Sequence, residues 1–471
     1  MRGSDRPGLS SAMSDLAELG GAALGFLVAG IAAFLLLPGY AGAALSLLCF
    51  VAVASLSPQI SLLTILATLP LHFLLRRPFG PLDLSLPDVV LLASVLGLLL
   101  GVYWRALLSG SSAELITPLR RTSRSPYFWP AVLLVTISTV TLIILLPDTR
   151  EGLRVGFRAY SLVIEPIAVY ALVLIAARDR QRLWLALDVL FAGAILICLY
   201  GVYQALSVVI APPEAVGGNY RVASVFNHPN TLALYLSRTL PLFGALGLAL
   251  GPRAGGVRAR GYLAGAVLMA VALLLSGSRG GWLAIAVAAF VVAALLRRWK
   301  WLLPASAAGL VGVVVLALTG QDRLHGMFTP GRGSADTRER LWRAAIEEIG
   351  KSPLWGTGLG NVRWMRRYIP RQRLEGTELV DAHNLFLDFG AKLGIIGLLA
   401  ILWLLARFYW IALTAYRRPD PETRALAIGL LAAMTAAVAH GMVDAFYFGL
   451  PFAVLFWFFL GVAETLVTTE E

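Results

Sequence analysis

Gly261-Tyr-Leu-Ala-Gly-Ala-Val-Leu-Met-Ala-Val-Ala-Leu-Leu-Leu-Ser276 runs into Gly277-Ser-Arg-Gly-Gly-Trp282 and then into Leu283-Ala-Ile-Ala-Val-Ala-Ala-Phe-Val-Val-Ala-Ala-Leu-Leu296. Both long runs are apolar on every helical face, so neither has a polar side to show to water. Each is close to the roughly 17–25 residues that cross a hydrocarbon core. The stretch therefore reads as two membrane spans, 261–276 and 281–296, joined by the turn 276–280 with almost no loop. Arg279 is forced to the membrane boundary, among glycines that expose backbone N–H groups.

The pattern repeats along the chain. Of 471 residues, 58% are hydrophobic and 14% charged, where a soluble domain carries about a quarter charged. Further spans are read at 19–37, 41–57, 59–75, 88–108, 127–147, 156–177, 183–206, 231–251, 301–319, 385–413, 424–441 and 444–466. The total is about fourteen, or twelve if part of 41–75 only dips into the membrane. The expected fold class is an all-α polytopic membrane protein with about 12–14 transmembrane helices. A soluble protein with a very large core would need amphipathic helices, which most of these are not. Leu19–Leu37 is too long for a signal-peptide core and reads as the first span. Cys49 and Cys198 lie inside apolar runs and form no metal spacing. No internal repeat is visible, which counts against a transporter built from inverted halves.

The net charge of +12 is almost all arginine, the lysines being Lys300, Lys351 and Lys392. Its placement sets orientation. With the spans above, Arg120, Arg121 and Arg124; Arg178, Arg180 and Arg182; Arg253, Arg258 and Arg260; Arg297, Arg298 and Lys300; and Arg417 and Arg418 all fall on one side. That side is read as cytoplasmic, and Arg2 and Arg6 of the N-terminus join it. Arg76 and Arg77 fall on the other side and are the exception. The chain divides into N-terminal transmembrane helices at 1–150, central helices with outer-face arginine motifs at 151–319, a large periplasmic or extracytoplasmic loop at 320–383, and C-terminal helices at 384–471.

The outer side holds the polar motifs. In 320–383, Ser334–Gly350 reads as an amphipathic helix, with Asp336 and Glu339 at capping-box spacing, Gly350 suited to the C-cap, and a stripe of Leu341, Trp342, Ala345, Ile346 and Ile349. Such a helix lies on the membrane surface or over a cavity. Pro353-Leu-Trp-Gly-Thr-Gly-Leu-Gly-Asn361 permits a tight turn and close backbone approach. A glycine run alone is a weak phosphate signal, and a plain turn is the better account of it.

Arg279 offers a permanent charge and a forked donor that fits phosphate oxygens; the alternative is a snorkelling arginine on headgroups or helix carbonyls. Tyr220-Arg-Val-Ala-Ser-Val-Phe-Asn-His-Pro-Asn-Thr231 brings Arg221, Asn227, His228 and Asn230 to the same side, where Asn230 would also serve as a cap for a helix starting at Thr231. Arg150, Arg154 and Arg158 precede Glu165, an intramembrane carboxylate expected to pair with one of them. Asp381-Ala-His-Asn-Leu-Phe-Leu-Asp388 places His383 where the loop re-enters the membrane, as a proton acceptor or as an interfacial cap. His440 and Asp444 end the next hairpin on that side. Inside the spans the charges read are few: Glu165, Asp188, Asp388 and Lys392.

Taken together, Arg221 with Phe226-Asn-His-Pro-Asn230, Gly277-Ser-Arg-Gly-Gly-Trp282, Thr337-Arg-Glu-Arg-Leu-Trp342 leading to Pro353-Leu-Trp-Gly-Thr-Gly358, Asp381-Ala-His-Asn-Leu385, and His440 with Asp444 resemble the O-antigen ligase and polymerase superfamily, lipid-linked glycan transferases with the Wzy_C signature. The resemblance covers roughly 150–460, and its specificity lies in the order and spacing of individually weak motifs. It implies a GT-C-like fold and an undecaprenyl-diphosphate-linked glycan donor. That glycan is transferred en bloc to a glycan, lipid A core or protein acceptor at the outer face of a bacterial inner membrane, in lipopolysaccharide or exopolysaccharide biosynthesis. It implies His383 as catalytic base and Arg221 and Arg279 as diphosphate ligands. Asn230, Arg338, Asn384, His440, Asp444 and Arg158 are expected to support them or to meet the acceptor. Membrane lipids are implied as partners, with no nucleic acid, no cofactor and no metal. Ligase, polymerase and protein O-oligosaccharyltransferase would share these residues. A lipid-linked-oligosaccharide flippase or other transporter is the rival from another class; it would place charges at the membrane midplane, where this chain has few.

Overall fold

A computed structural model of the protein describes residues 9–79, 82–110, 123–145, 150–177, 179–210, 221–254, 256–301, 334–359, 381–444 and 446–468. Among them are nine helices long and apolar enough to cross a membrane and four shorter apolar ones. They correspond one for one with the spans read from sequence, except 301–319, which lies outside the described residues together with Arg2, Arg6, Arg120, Arg121 and Arg178. The protein is an all-α polytopic membrane protein.

α1 (Leu9–Leu36) and α2 (Gly39–Leu56) form a hairpin turned at Gly39, whose φ of 63° suits glycine. α3 (Pro58–Thr68) starts on Ser57, whose hydroxyl accepts from the Ile60 amide, and tightens into a 3-10 turn at Leu69–Phe73. The uncertain region 41–75 is thus two antiparallel helices. A short hairpin follows, β1 (Arg76–Phe79) against β2 (Leu82–Ser85), and then α4 (Leu86–Ser109), opened by a capping box between Ser85 and Asp88. Next come α5 (Phe128–Ile144), then α6 (Arg150–Ile164) and α7 (Ile167–Ala176), parted at Pro166, and α8 (Arg180–Ile210). α9 (Pro229–Ala254), α10 (Gly256–Ser276) and α11 (Arg279–Leu295) precede the amphipathic α12 (Ser334–Lys351). α13 (Leu385–Tyr416), α14 (Pro421–Gly441) and α15 (Leu450–Thr468) close the chain.

α15 is the axis of the bundle. Of its apolar window 94% is buried in protein, against 33% for α2, which stands at the rim facing lipid. α9 and α14 come next, at 83% and 78%. The polar motifs sit where these inner helices end.

One end of the bundle gathers β1 and β2 and the segments 221–228, 277–278, 353–359, 381–384, 442–444 and 446–449. Arg124, Arg180, Arg182, Arg258, Arg260, Arg297, Arg298, Lys300, Arg417 and Arg418 lie at the opposite end. The exceptional Arg76 and Arg77 do belong to the first end, and the structure gives the reason. Arg77 donates to the carbonyls of Leu35 and Leu37 at the C-terminus of α1, where the helix dipole favours a cation. Arg76 donates to the His72 ring at 2.9 Å and covers Phe73. Both are tied into the fold.

The glycine run at 353–358 docks into a break in α13. Gly394 has φ 66° inside that helix, and the freed groups are taken up: the Ile395 amide donates to the Pro353 carbonyl, and Thr357 and Gly358 donate to Ala391 and Lys392. A Cβ on Gly394 would stand 2.2 Å from the Leu354 carbonyl oxygen, and one on Gly356 2.6 Å from the Gly394 amide nitrogen. The glycines here let two backbones touch.

α12 packs Leu341, Ala344 and Ala345 on Ala382 and Ala391, with Ile349 beside them, while Ile346 is exposed; the stripe is narrower than the spacing suggests. The helix runs one residue past Gly350, and the Asp336 side chain lies outside the described residues.

Candidate functional site

The centre of the polar cluster is Asp444, in the turn between α14 and α15 and almost fully buried. Its Oδ1 lies 2.9 Å from Nδ1 of His383, and its Oδ2 accepts from Asn230 Nδ2 at 3.1 Å and from the Arg338 guanidinium at 3.2 Å. Asn230 in turn accepts from Arg221 at 2.7 Å, and Arg221 Nε donates to the Ser276 carbonyl at 2.8 Å. Five residues singled out in sequence, from four separate segments, therefore form one hydrogen-bonded network. Asn230 is not the helix cap: α9 begins at Pro229, one residue earlier, and the Asn230 side chain is spent on Arg221 and Asp444.

Local structure aims His383. Its φ of 49° is unusual for a residue with a Cβ and is held by its surroundings. The His383 amide donates to Asp381 Oδ1 at 2.8 Å, and the Ala382 amide to Asp388 Oδ1 at 3.1 Å. Asn384 caps α13 through the Phe386 and Leu387 amides and donates to the Met442 carbonyl at 2.9 Å. This ties the histidine loop to the aspartate turn. On the other side Ser224, with φ 54°, is clasped by Gln204 through its amide and its carbonyl. Asp388 makes a buried ion pair with Lys392 at 2.7 Å.

Electrostatics polarise the pair. Asp381 beside it and the hydrogen bond to Asp444 push His383 up to about 9, against the opposing effect of burial. Burial works against ionisation of Asp444, yet the hydrogen bond and charge of His383, with His440 and Arg338, hold its carboxyl well below the usual range. Burial and the Arg221 charge lower His228, whose Nδ1 accepts from the Asn230 amide. With Nδ1 of His383 engaged by carboxylates, Nε2 is the nitrogen left to face a substrate. The His383 side chain is 36% exposed against 5% for Asp444.

Arg279 is the exposed first residue of α11, after the Ser278 cap. The next residue, Gly280, touches the turn of Asp444: a Cβ there would come within 2.9 Å of the His440 ring. His440 itself bonds Ser237 Oγ at 3.0 Å, and its buried Nε2 has no hydrogen-bond partner among the described residues. Arg158 is placed elsewhere. It donates to Asp88 at 2.7 Å, so the carboxylate it holds is Asp88, from the N-terminal region that carried no recognised motif.

Sequence reading missed two further groups. Asp381 was quoted only as part of a motif, although its position two residues before the histidine is the signal. Arg238 lies within the span read at 231–251, where a lone arginine in an apolar run was the signal. The residue is 2% exposed, and its guanidinium bonds the carbonyls of Leu234 and Phe446.

The helices and this cluster define a multi-pass membrane protein with a charged site at one end of its bundle. Residues 264–402 match the protein-family model Wzy_C, described as O-antigen ligase, which supports the resemblance to the O-antigen ligase and polymerase superfamily. No curated protein matches the chain. Arg279, Arg338, His383 and Asn384 lie inside the matched segment; Arg221, Asn230 and Asp444 lie outside it and are joined to it by the hydrogen bonds above.

Proposed function

We propose that the protein is a membrane glycosyltransferase that moves a glycan en bloc from a polyprenyl diphosphate carrier to an acceptor hydroxyl, with its site on the periplasmic side of a bacterial inner membrane. The family match supports the reaction class, and the basic residues at the opposite end of the bundle support the sidedness. The observation that carries the reading is the His383–Asp444 pair, 2.9 Å apart and wired through Asn230 to Arg221.

In the proposed step the acceptor oxygen attacks the anomeric carbon as the bond from that carbon to the phosphate oxygen breaks. The diphosphate leaves with the electron pair, and the hydroxyl proton passes to Nε2 of neutral His383. Asp444 and Asp381 orient the ring through Nδ1 and stabilise the imidazolium that forms. Arg221 and Arg279 offer forked cationic donors to the departing diphosphate at a water-poor boundary. A single displacement inverts the anomeric configuration.

The test is transfer by the purified protein in lipid nanodiscs, from a polyprenyl-diphosphate glycan to lipid A core, to a second lipid-linked repeat, or to a secreted-protein hydroxyl. Activity with one acceptor selects among ligase, polymerase and protein transferase. Full activity of His383→Ala would remove the base assignment. Arg279→Lys separates charge from fork: transfer survives if point charge suffices and falls if paired donors are needed.

A further inference from the structure

Arg238 is a cation deep in α9, 2% exposed, and the hydrogen bonds it makes go to main-chain carbonyls. It spans from Leu234 on its own helix, at 2.6 Å, to Phe446 in the turn after α14, at 2.8 Å, under the ring of Phe452 at 4.8 Å. Burying a guanidinium in a membrane protein costs several kcal/mol unless its surroundings repay it. The recipient here is the turn that carries Asp444. That turn is held at two carbonyls on either side of the aspartate: Met442 by Asn384, and Phe446 by Arg238.

We propose that Arg238 is a positioning residue for the His383–Asp444 pair, holding Phe446 just after the aspartate so that the Asp444 carboxylate meets Nδ1 of His383. The inference rests on the reading of His383 as the working base. Arg238 is out of contact with the reacting atoms and acts through the turn. The guanidinium reaches the two carbonyls with separate nitrogens in a fixed fork, and its carbon lies 6.0 Å from the Phe446 ring centroid and 4.8 Å from that of Phe452. Placement matters because a misplacement of about 1 Å in such a pair can cost roughly 100-fold in rate.

The test follows the His383 titration by NMR of the full-length protein with labelled histidine in nanodiscs. The His383 signal among the five histidines is identified by its absence in H383Q. Charged or titratable groups acting on His383 are Asp381, Asp444, Arg338 and His228; on Asp444 they are His383, His440, Arg338 and Arg238. In R238M, loss of the turn frees His383 from Asp444, and the midpoint falls by about one pH unit or more, as it does in the D444N control. Removal of a nearby cation alone would raise the midpoint. An unchanged or raised midpoint in folded R238M overturns the proposal. R238K keeps the charge and guards against a misfolded R238M: the midpoint falls and kcat drops about 10-fold or more with KM little changed if the two-carbonyl clasp matters, whereas a wild-type midpoint and kcat overturn it. The NMR readout is independent of transfer, so an active H383A would remove the base reading while leaving the effect of Arg238 on the pair measurable.

Discussion

Two buried carboxylates stand at the same end of the bundle, each beside an arginine and near a histidine, and they are wired differently. Around Asp88 the polar groups form a closed chain. Arg76 donates to Nε2 of His72, Nδ1 of His72 lies 2.7 Å from Ser85 Oγ, Ser85 donates to one Asp88 oxygen at 2.6 Å, and Arg158 donates to the other at 2.7 Å. Both ring nitrogens of His72 are engaged, and the ring is buried. Around Asp444 the chain is open. His383 presents a partly exposed ring with Nε2 turned from the carboxylates, and the exposed Arg279 stands at the neighbouring helix start. The same residue types give an internal clasp in one place and an open, partly exposed cluster in the other, and among the described residues the difference is whether the last nitrogen has a protein partner. Phe73 packing edge-on against Phe226 joins the two regions.

The contrast breaks most visibly at the histidines. His383→Ala should lower transfer by about 100- to 10,000-fold, the range for loss of a general base, with thermal stability nearly unchanged. His72→Ala should do the reverse, lowering the melting temperature in nanodiscs while residual folded protein transfers at a near-normal rate. Asp88→Asn removes the buried carboxylate to which Arg158 and Ser85 donate and should destabilise by about 3–5 kcal/mol, measurable as loss of monodisperse protein on mild heating.

A smaller effect sharpens the site. The proposed base, His383, accepts a proton only when neutral, so kcat/KM for the ligand-free protein should rise with pH toward about 9. Asp381→Asn removes the largest cause of that raised value and should shift the rise to lower pH. A rate that falls as pH climbs through the same window would instead make His383 a cationic ligand of the diphosphate. The linkage to stability has a definite sign. A histidine raised from 6.5 to about 9 contributes stability that is complete below pH 6.5 and lost as pH rises through 9. Arg158→Lys, which keeps the charge beside Asp88, should change both transfer and melting least.

Much of the fold was legible because a membrane span is a composition before it is a shape. Each such run among the described residues is a helix, 41–75 included. The site was legible as far as motifs carried residue type and order: His383, Arg221, Asn230, Arg338 and Asp444 were named, and they meet. What stayed hidden was pairing. Nothing in the spacing of Arg150, Arg154 and Arg158 against Glu165 announces that Arg158 binds Asp88, seventy positions away. Arg238 was hidden for the opposite reason: one charge in an otherwise ordinary span reads as noise until its two carbonyls are seen. The glycines of 353–358 fitted several uses, and only the broken helix they enter shows that they serve backbone contact.

That break at Gly394 separates two mechanical tasks. The first turns of α13, up to Lys392, carry Asn384 at their start and are stitched to 353–358, while the longer part beyond Ile395 spans the bilayer. A helix that must tilt to match a thicker or thinner membrane can therefore do so about Gly394 without dragging its footing along. Transfer rates in vesicles of short- and long-chain lipids should accordingly stay close, and a bulky residue at 394 should make them diverge.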